Sequence, residues 1–391
     1  METLSYGIIA GRKLEFFTHR SGAEFGYPEE GQLDTFAVLH PLNEEEGKEY
    51  PLDVVFHSAG HDVFSCVSTI YYEGNHDIYH TPADMFGLFP DCRNNMNDFW
   101  WGGVGAHGEF AEQGRGGTEL QPAEKRFFAE LDFVFENYAI DRERVYAVGN
   151  SMGGSGALGI AMPRGDIFAA IKANVPAGVR HAADRCCFDT EAPEGFSIPD
   201  PPVVVDYSAQ NDDWSDGHEI LYRAAKEKKY QIFGYFGMFG HENNDWMLKQ
   251  HNDLIHSFDI WSVKLHEAYP VFTDADTDDT LPWPKDRKIT TAGQINSFFR
   301  WKNLRDEAGR FEISLRLLRQ DEWETRVTLP KTAEADLTFR RLQNFRLTPG
   351  ERIKCTYRGE TRTVTVAPDG LPMIGRVTVT DEPETLVLER I

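Results

Sequence analysis

The chain has 391 residues, of which 41% are hydrophobic and 13% aromatic, enough for one large domain and a smaller one. Its formal net charge of −23 disfavours nucleic acid and anionic membranes as partners. The five cysteines show no C-x-x-C spacing, which argues against a zinc site or a disulfide framework. They are Cys66, Cys92, Cys186, Cys187 and Cys355.

The first residues of the chain, Met1 to Gly7, lack a basic region followed by a long apolar stretch, so they do not predict a signal peptide. The sequence also contains no run of 18 apolar residues that would predict a membrane span. We therefore expect a cytoplasmic protein. A secreted protein whose leader had been removed would show the same sequence.

The first sixty residues predict β-strands. Three β-rich segments come first, Gly7–Ala10, Leu14–Thr18 and Thr35–His40. Leu52–His57 then has the composition of a strand buried on both faces, and the small residues Ser58–Gly60 follow it directly. These segments predict the beginning of a sheet.

Residues 62–119 are polar and aromatic, with few periodic features. The run Phe99-Trp100-Trp101 stands out, because exposed loops seldom carry three adjacent rings unless the rings pack or bind something. One interpretation is that the rings cap the core beneath the loop. The other is that they form a pocket wall, with Arg93 available to an anionic or polyhydroxylated substrate.

A helix and a strand lead into the central motif of the chain. Apolar side chains recur at three- and four-residue spacing along Glu119–Tyr138, which predicts an amphipathic helix. The apolar run Val145–Val148 predicts a buried strand, and Gly149–Gly153 (Gly-Asn-Ser-Met-Gly) fits the G-x-S-x-G pattern. The segment Ala157–Ala161 can begin a helix. This order predicts a parallel βαβ progression.

Small residues flank Ser151 for a physical reason. A serine on a strained strand-to-helix turn needs neighbours without bulk, because the surrounding backbone crowds it on both sides. The same turn places the N-terminus of the following helix, and the backbone N–H of Met152, beside any oxyanion that forms on a substrate. A plain glycine-rich turn would show the same pattern, so the hypothesis depends on finding a base and an acid.

Three further segments complete the predicted sheet. Phe168–Pro176, Pro201–Tyr207 and Gln231–Phe236 predict buried strands. Ligand chemistry in open α/β sheets lies at the carboxyl ends of such strands. Gly217–Lys229 and Trp246–Leu265 have helical periodicity and are expected to cover the sheet.

The remaining stretches predict the domain organisation. Residues 177–200 are expected to form a loop or lid-like insertion, and residues 274–288 an acidic, proline-containing linker. Short alternating runs such as Phe311–Leu317 predict a small β-sandwich over residues 289–391. We therefore expect a catalytic domain over residues 1–273 and an accessory domain that could mediate homo-oligomer formation.

Ser151 needs a general base, because a serine hydroxyl is a poor nucleophile at neutral pH, and the base needs a carboxylate to orient it. Of the 13 histidines, His241 is best placed, since it follows a predicted strand and lies beside a glycine. His218 and His251 fall in predicted helices, and His57 ends the strand before the turn at residues 58–60.

Two adjacent carboxylates compete for the role of the acid. Asp212 and Asp213 both follow the predicted strand Pro201–Tyr207, and adjacent side chains point apart, so only one can serve. We favour Asp212 and keep Asp213 as the alternative. Asp206 is still inside the strand, and Asp216 has the position of a helix cap.

Together these residues resemble the α/β-hydrolase superfamily. The elbow Gly149–Gly153, the turn His57–Gly60, the Asp212 loop and Gly240-His241 occur in the order Ser…Asp…His typical of that superfamily. The closest resemblance is to the branch of feruloyl and acetylxylan esterases and polyhydroxybutyrate depolymerases. The Arg-Val-Tyr strand leading into Gly-Asn-Ser-Met-Gly-Gly is typical of that branch and of prolyl-oligopeptidase catalytic domains. The resemblance covers about residues 35–265 and implies an α/β-hydrolase fold, with a mostly parallel sheet flanked by helices. The small C-terminal all-β domain lies outside it and is predicted from the alternating runs alone.

The resemblance also implies a mechanism without a cofactor. The acyl group of an ester is transferred to Ser151, and water activated through His241 then hydrolyses the acyl-enzyme. Backbone N–H groups hold the oxyanion, namely that of Met152 and that of Ala59 or Gly60. Serine and alanine stand where glycines are common after this strand, so the second donor stays open between the two.

Four side chains are candidates for binding the substrate, which are Arg93, Trp101, Trp214 and Trp246. Tryptophan rings suit sugar or phenolic groups, so we expect a feruloyl or acetyl ester of a carbohydrate, or a small aryl ester. One alternative is a serine peptidase resembling prolyl oligopeptidases, although no repeat-built propeller domain precedes the hydrolase region. The other is an inactive glycan-binding protein, against which the complete candidate triad argues.

Overall fold

A computed structural model of the chain describes residues 1–27, 31–71, 77–92, 99–101, 117–241, 254–284 and 287–391. Within these ranges no helix is long and apolar enough to cross a membrane. The α-helices of the described part are α1 (Val63–Ser68), α2 (Pro122–Asn137), α3 (Met152–Ala161), α4 (Arg180–Cys186) and α5 (His218–Lys228). Short 3₁₀ helices lie at Ala23–Phe25, Thr69–Tyr71, Asp77–Tyr79 and Ile260–Ser262.

The strands of the described part fall into an N-terminal and a C-terminal group. The first group is β1 (Glu2–Ile9), β2 (Arg12–Ser21), β3 (Gln32–Leu39), β4 (Tyr50–Phe56), β5 (Phe86–Phe89), β6 (Ile140–Asn150), β7 (Ala170–Asn174), β8 (Val203–Ala209) and β9 (Ile232–Gly237). The second group is β10 (Tyr269–Thr273), β11 (Gly293–Ile295), β12 (Phe299–Glu307), β13 (Arg310–Leu317), β14 (Thr332–Arg340), β15 (Arg352–Tyr357), β16 (Glu360–Thr365), β17 (Ile374–Thr380) and β18 (Glu384–Arg390).

Ten of these strands form the main sheet, in the order β1-β2-β3-β5-β4-β6-β7-β8-β9-β11. The six neighbours from β5 to β9 are parallel. The strands β1, β2 and β3 at one edge, and β11 at the other, pair antiparallel. The carboxyl ends of β4, β6, β8 and β9 therefore lie at one edge of the sheet, where the turn at residues 58–60, the elbow and the predicted acid and base follow them.

Local sequence explains the elements around the centre of the sheet. Every residue of β4 and β8 is buried, as the continuous apolar runs predict for strands covered on both faces. Helix α2 buries Phe127, Leu131 and Val134 at helical spacing. It begins with a proline at its first position, and the Gln121 N–H donates to Glu124 Oε2 at 2.6 Å, which satisfies a free amide of the first turn.

The two faces of the main sheet are covered by different parts of the chain. On one face, helices α2, α3 and α5 bury Leu131, Leu158 and Leu221 in a single apolar cluster. On the other face, Phe233 of β9 shares a cluster with residues of α1 and with Phe299 and others from the C-terminal strands. The C-terminal strands therefore complete the core on this face of the main sheet.

The C-terminal strands form two antiparallel sheets, in the orders β10-β14-β17 and β12-β13-β18-β15-β16. Along β13, buried and half-buried residues alternate, as expected when one face of a strand is packed. The rings of Phe311 and Phe339 meet between the two sheets with 5.1 Å between their centroids. The predicted β-sandwich is confirmed.

Two strands cross the boundary that the sequence predicts between the domains. β10 precedes the predicted linker but pairs with β14 of the sandwich, whereas β11 follows the linker but pairs with β9 and extends the main sheet. Arg341, which is buried, donates to the carbonyls of Phe168 at 2.8 Å and Ala169 at 3.1 Å, just before β7 begins. The sandwich is thus joined to the amino ends of the parallel strands, at the edge opposite the elbow.

The helix predicted over Trp246–Leu265 is corrected in its described part. Residues 254–265 contain a single 3₁₀ turn, Ile260–Ser262, which begins where Asp259 Oδ1 accepts the Trp261 N–H at 3.1 Å. Residues 246–253 lie outside the described residues. The apolar side chains of this segment still pack on the sheet, so they are buried although the segment forms no α-helix.

The loop or lid-like insertion expected over residues 177–200 is corrected for its first part, whereas residues 187–200 contain neither helix nor strand. The first part contains α4, whose His181 and Arg185 side chains are buried. Both bind Glu124 of α2, His181 through Nε2 at 2.8 Å and Arg185 through Nη2 at 2.6 Å. Because the buried carboxylate binds a guanidinium and an imidazole of α4, this helix is held against α2 and belongs to the helical layer.

Candidate active site

Ser151 lies on a strained turn between β6 and α3. Its backbone has φ 57° and ψ −119°, a conformation that residues with side chains rarely adopt. The Ser151 N–H donates to the Asn174 carbonyl at 2.9 Å, and the Ser151 carbonyl accepts the Ala177 N–H at 3.0 Å. Hydrogen bonds on both sides of the serine therefore hold the strained conformation.

The two glycines of the motif are required by the close approach of backbone. A Cβ atom on Gly149 would lie 2.1 Å from the Gly153 carbonyl oxygen. A Cβ atom on Gly153 would lie 1.9 Å from the Phe56 carbonyl oxygen and 2.8 Å from that of His57. The elbow thus packs directly against the carboxyl end of β4, which brings the turn after β4 beside the serine.

The structure brings Ser151, His241 and Asp212 into one chain of hydrogen bonds. Ser151 Oγ lies 2.6 Å from His241 Nε2, and His241 Nδ1 lies 2.7 Å from Asp212 Oδ2. The Asp212 side chain is 1% exposed and the His241 side chain 30% exposed, so the acid is buried and the base is open to a substrate. With Nδ1–H donated to the carboxylate, Nε2 is left to accept the serine proton.

Asp212, rather than its neighbour Asp213, contacts the histidine. Its second oxygen, Oδ1, accepts the Trp214 N–H at 2.8 Å, which fixes the orientation of the carboxylate. Asp213 is exposed. Asp206 is buried inside β8, as predicted from its place in the strand, and accepts the Tyr222 hydroxyl at 2.8 Å.

One detail of the predicted acid region is wrong, and the prediction that His218 lies in a helix is confirmed. Asp216 is not the cap of α5, because Gly217 occupies the N-cap position. His218, the first residue of α5, is buried and bonds the hydroxyls of Ser208 at 2.7 Å and Ser215 at 3.1 Å. These bonds tie the two ends of the loop that carries Asp212.

Sequence reasoning overlooked Asn211. Its side-chain Oδ1 accepts the backbone N–H of Gly240 at 3.0 Å. This bond joins the loop of the acid to the loop of the base, one residue before each of them. The available signal was an amide side chain next to a candidate catalytic carboxylate, since such side chains often bond neighbouring backbone.

The three predicted oxyanion-hole residues lie around the elbow. Met152 is the first residue of α3, so its N–H is one of the amides left without a partner inside the helix. Ala59 and Gly60 form the turn after β4 and are exposed, and Gly60 has φ 79°. Ser58 precedes them and donates its N–H to the Tyr79 hydroxyl at 3.1 Å. The choice between Ala59 and Gly60 stays a prediction.

The aromatic run resolves in favour of core packing. Trp100 is fully buried and its Nε1–H donates to the His57 carbonyl at 2.9 Å. Trp101 is 4% exposed, and its ring lies 5.7 Å from that of His181. The expectation that Trp101 binds the substrate is therefore corrected, because the ring has no accessible face. Gly156 makes room for Trp100, since a Cβ there would lie 2.6 Å from that side chain.

Trp214 is the predicted substrate contact that lies beside the triad. Its side chain is 48% exposed, and its ring centroid lies 6.4 Å from that of His241. Arg93 and Trp246 lie outside the described residues. Within the described ranges, no group of three or more His, Cys, Asp or Glu side chains has an arrangement that could hold a metal ion.

Comparison with known proteins gives distant structural similarity only. No protein-family model matches the chain, and no curated protein matches its sequence. Among solved structures, an S-formylglutathione hydrolase from Agrobacterium tumefaciens is similar at 15% identity, with a TM-score of 0.43, over 63% of this chain and 94% of that one. A ferulic acid esterase is similar at 17% identity and a TM-score of 0.43, over 61% of this chain and 95% of its own. The CE1 ferulic acid esterase of the anaerobic fungus Anaeromyces mucronatus is similar at 19% identity and a TM-score of 0.40, over 62% and 88% of the two chains.

At such identities a shared activity does not follow, and the fold assignment rests on this chain's own strand order and elbow. A mostly parallel sheet carries a strained serine between its central strand β6 and the following helix, with the Asp212 and His241 loops after β8 and β9. The chain has the α/β-hydrolase fold. The resemblance noted in the sequence is therefore confirmed for the fold.

Proposed function

We propose that the protein is a serine hydrolase of carboxylic esters, with Ser151 as nucleophile, His241 as general base and Asp212 as orienting acid. One observation carries this proposal. Serine, imidazole and carboxylate form a continuous chain of short hydrogen bonds on a strained elbow. A purely structural turn has no need of a strained serine aimed at an accessible histidine.

In the proposed reaction, Ser151 Oγ attacks the ester carbonyl carbon while its proton passes to His241 Nε2. Asp212 stabilises the imidazolium that forms, and the N–H groups of Met152 and of Ala59 or Gly60 stabilise the oxyanion. Collapse of the tetrahedral intermediate breaks the C–O bond, and His241 protonates the departing alcohol. Water, deprotonated by the same histidine, then attacks the acyl carbon. The bond to Ser151 Oγ breaks, the acid leaves, and His241 returns the proton to the serine.

We further propose an ester whose acyl or alcohol part is flat or sugar-like, such as a feruloyl or acetyl group on a carbohydrate, or a small aryl ester. The half-exposed ring of Trp214 beside His241 supports this choice, because indole faces stack on such groups. The exposed Asp213 next to it places negative charge at the same rim, which disfavours anionic substrates.

Hydrolysis of a substrate panel tests the proposal. The panel contains p-nitrophenyl acetate and butyrate, methyl ferulate, acetylated xylan and a proline-containing peptide amide. We expect ester turnover by the wild type, and a loss of about 10⁴-fold or more in Ser151→Ala. The matched control is Ser68→Ala, which removes an exposed hydroxyl on α1 and is expected to retain full activity.

Each other outcome of the panel points elsewhere. Cleavage of the peptide amide with no ester turnover would replace the proposal by a serine peptidase. Binding of xylan without turnover of any substrate would replace it by a catalytically inactive glycan-binding protein. Full ester turnover by Ser151→Ala would contradict the assigned nucleophile.

A further inference from the structure

Tyr79 lies buried beside the turn that follows β4. It ends the 3₁₀ helix Asp77–Tyr79 and is 2% exposed. Its hydroxyl accepts the Ser58 N–H at 3.1 Å and lies 2.8 Å from Ser58 Oγ. The phenol thus contacts both polar groups of the residue that immediately precedes Ala59 and Gly60.

The 3₁₀ helix that ends at Tyr79 also contacts β6, the strand that leads into the elbow. Burial raises the pKa of the Tyr79 phenol, which therefore stays a neutral hydrogen-bonding group.

Ser58 is held from its other side as well. Its carbonyl accepts the His57 Nδ1–H at 2.9 Å and the His61 N–H at 3.1 Å. With its N–H and hydroxyl on Tyr79, each polar group of Ser58 has a partner. The turn at residues 59–60 is consequently fixed at its root, and the Tyr79 side chain that holds it belongs to a helix in contact with β6, the strand before the nucleophile.

We propose that Tyr79 is a positioning residue, whose hydroxyl holds the N–H and the hydroxyl of Ser58 and thereby sets the position of the oxyanion-hole donor at residues 59–60 relative to Ser151. This inference rests on the proposed function. Glycines are common in this turn in the α/β-hydrolases, and here serine and alanine replace them. The side chain of Ser58 gives Tyr79 a second point of attachment that a glycine does not offer.

Tyr79→Phe tests this role, because it removes one oxygen and leaves the ring. An oxyanion-hole donor acts in the transition state, and removal of one donor lowers kcat about 10²–10³-fold. A displaced donor loses part of that, so we expect kcat for p-nitrophenyl acetate to fall about 10- to 100-fold with KM nearly unchanged. The inhibition constant of a trifluoromethyl ketone, which forms the same oxyanion, should rise in proportion to the loss in kcat/KM.

Tyr269→Phe is the matched control. Tyr269 is equally buried, and its hydroxyl donates to the Pro201 carbonyl at 2.6 Å, near the amino end of β8. The Tyr269→Phe variant therefore also loses one buried hydrogen bond of a tyrosine, but at the opposite edge of the sheet. We expect a similar fall in Tm in both variants, and a fall in kcat in Tyr79→Phe alone.

Ser58→Ala removes the hydroxyl that Tyr79 contacts and decides the matter if Tyr79→Phe does not fold. We expect it to lower kcat with KM nearly unchanged, and the double variant to lose no more than the larger single loss. Wild-type kcat in a folded Tyr79→Phe or Ser58→Ala variant would overturn the positioning role while leaving the esterase intact. Absence of Ser151-dependent turnover in the wild type would instead overturn the proposed function.

Discussion

Asn211 and Gly240 join the two loops that carry the acid and the base. The side-chain Oδ1 of Asn211 accepts the Gly240 N–H at 3.0 Å, and each residue immediately precedes a member of the triad. Gly240 has φ 65°, so the chain turns sharply just before His241. This contact determines the position of the imidazole relative to the carboxylate.

Asn211→Ala should lower kcat about 3- to 10-fold with little change in KM. The bond is exposed, and an exposed or half-exposed hydrogen bond contributes about 0.5–1.5 kcal/mol, which corresponds to that range of rates. Ester turnover by the variant checks this, with Asn137→Ala as the control. Asn137 is also exposed and bonds the Phe133 carbonyl, far from the triad. Equal kcat in both variants would show that the joint between the loops is unimportant.

Asp212→Asn should lower kcat about 10⁴-fold, because an amide in that place favours the wrong tautomer of His241. Asp213→Asn should retain kcat within about 3-fold, since Asp213 is exposed and the imidazole is bonded by Asp212 at 2.7 Å. The two variants differ by one position and carry the same change of charge. A reversed ranking would assign the acid to Asp213.

Gly153→Ala should destabilise the protein by at least about 2 kcal/mol, because its Cβ would lie 1.9 Å from the backbone carbonyl oxygen of Phe56, which cannot rotate away. Gly309→Ala is the control. A Cβ at Gly309 meets nothing within 4 Å, and we expect its Tm to stay within a few degrees of the wild type. Urea unfolding of the three proteins checks the difference. A wild-type midpoint in Gly153→Ala would contradict the close approach of elbow and β4.

Much of the site could be predicted because its signals are local. Gly149 and Gly153 flank the serine for steric reasons, and apolar runs before each loop mark the buried strands whose carboxyl ends carry Ser151, Asp212 and His241. The rest depends on long-range packing. The apolar residues near Trp261 are spaced as in a helix, but they are buried on the sheet by a segment that contains a 3₁₀ turn. No α-helix is needed there, because the C-terminal strands cover the rest of that face.

Other features carry no local signal at all. β10 pairs with the sandwich and β11 with the main sheet, and in each case the partner strand lies some 60 residues away in the sequence. Alternation along a strand does not specify which strand it pairs with. The sequence around Trp101 would look the same whether its ring lined a pocket or packed in the core. The role of Tyr79 depends on the meeting of two segments that are distant in the sequence, and a single tyrosine in a polar stretch does not indicate it.

Asp206→Asn should become more stable relative to the wild type as the pH rises. Burial raises the pKa of Asp206 to about 7, in spite of the Tyr222 and Ser208 hydroxyls that lower it. An aspartate in the unfolded chain has a pKa of about 3.9, so the folded state binds a proton that the unfolded state has lost between about pH 4 and pH 7. The favourable contribution of the protonated carboxyl is complete below pH 4 and is lost as the pH rises through 7.

The measurement is the free energy of unfolding of both proteins at pH 4.5, 6 and 7.5. Because the amide resembles the neutral carboxyl and does not titrate, the variant's stability minus that of the wild type should increase along this series. The exposed Asp132 provides the control, since Asp132→Asn should keep a constant difference. A difference that is constant for Asp206→Asn, or that decreases with pH, would contradict the raised pKa.

The most direct test of the account is covalent labelling with a p-nitrophenyl alkylphosphonate, which forms a stable adduct with an activated serine and releases p-nitrophenol. We predict one equivalent of p-nitrophenol per chain, with the phosphonyl mass on the peptide that contains Ser151. His241→Ala should label at least about 100-fold more slowly, whereas the exposed His266→Ala should label at the wild-type rate. Label on another residue, or equal rates with and without His241, would contradict the proposed nucleophile and base.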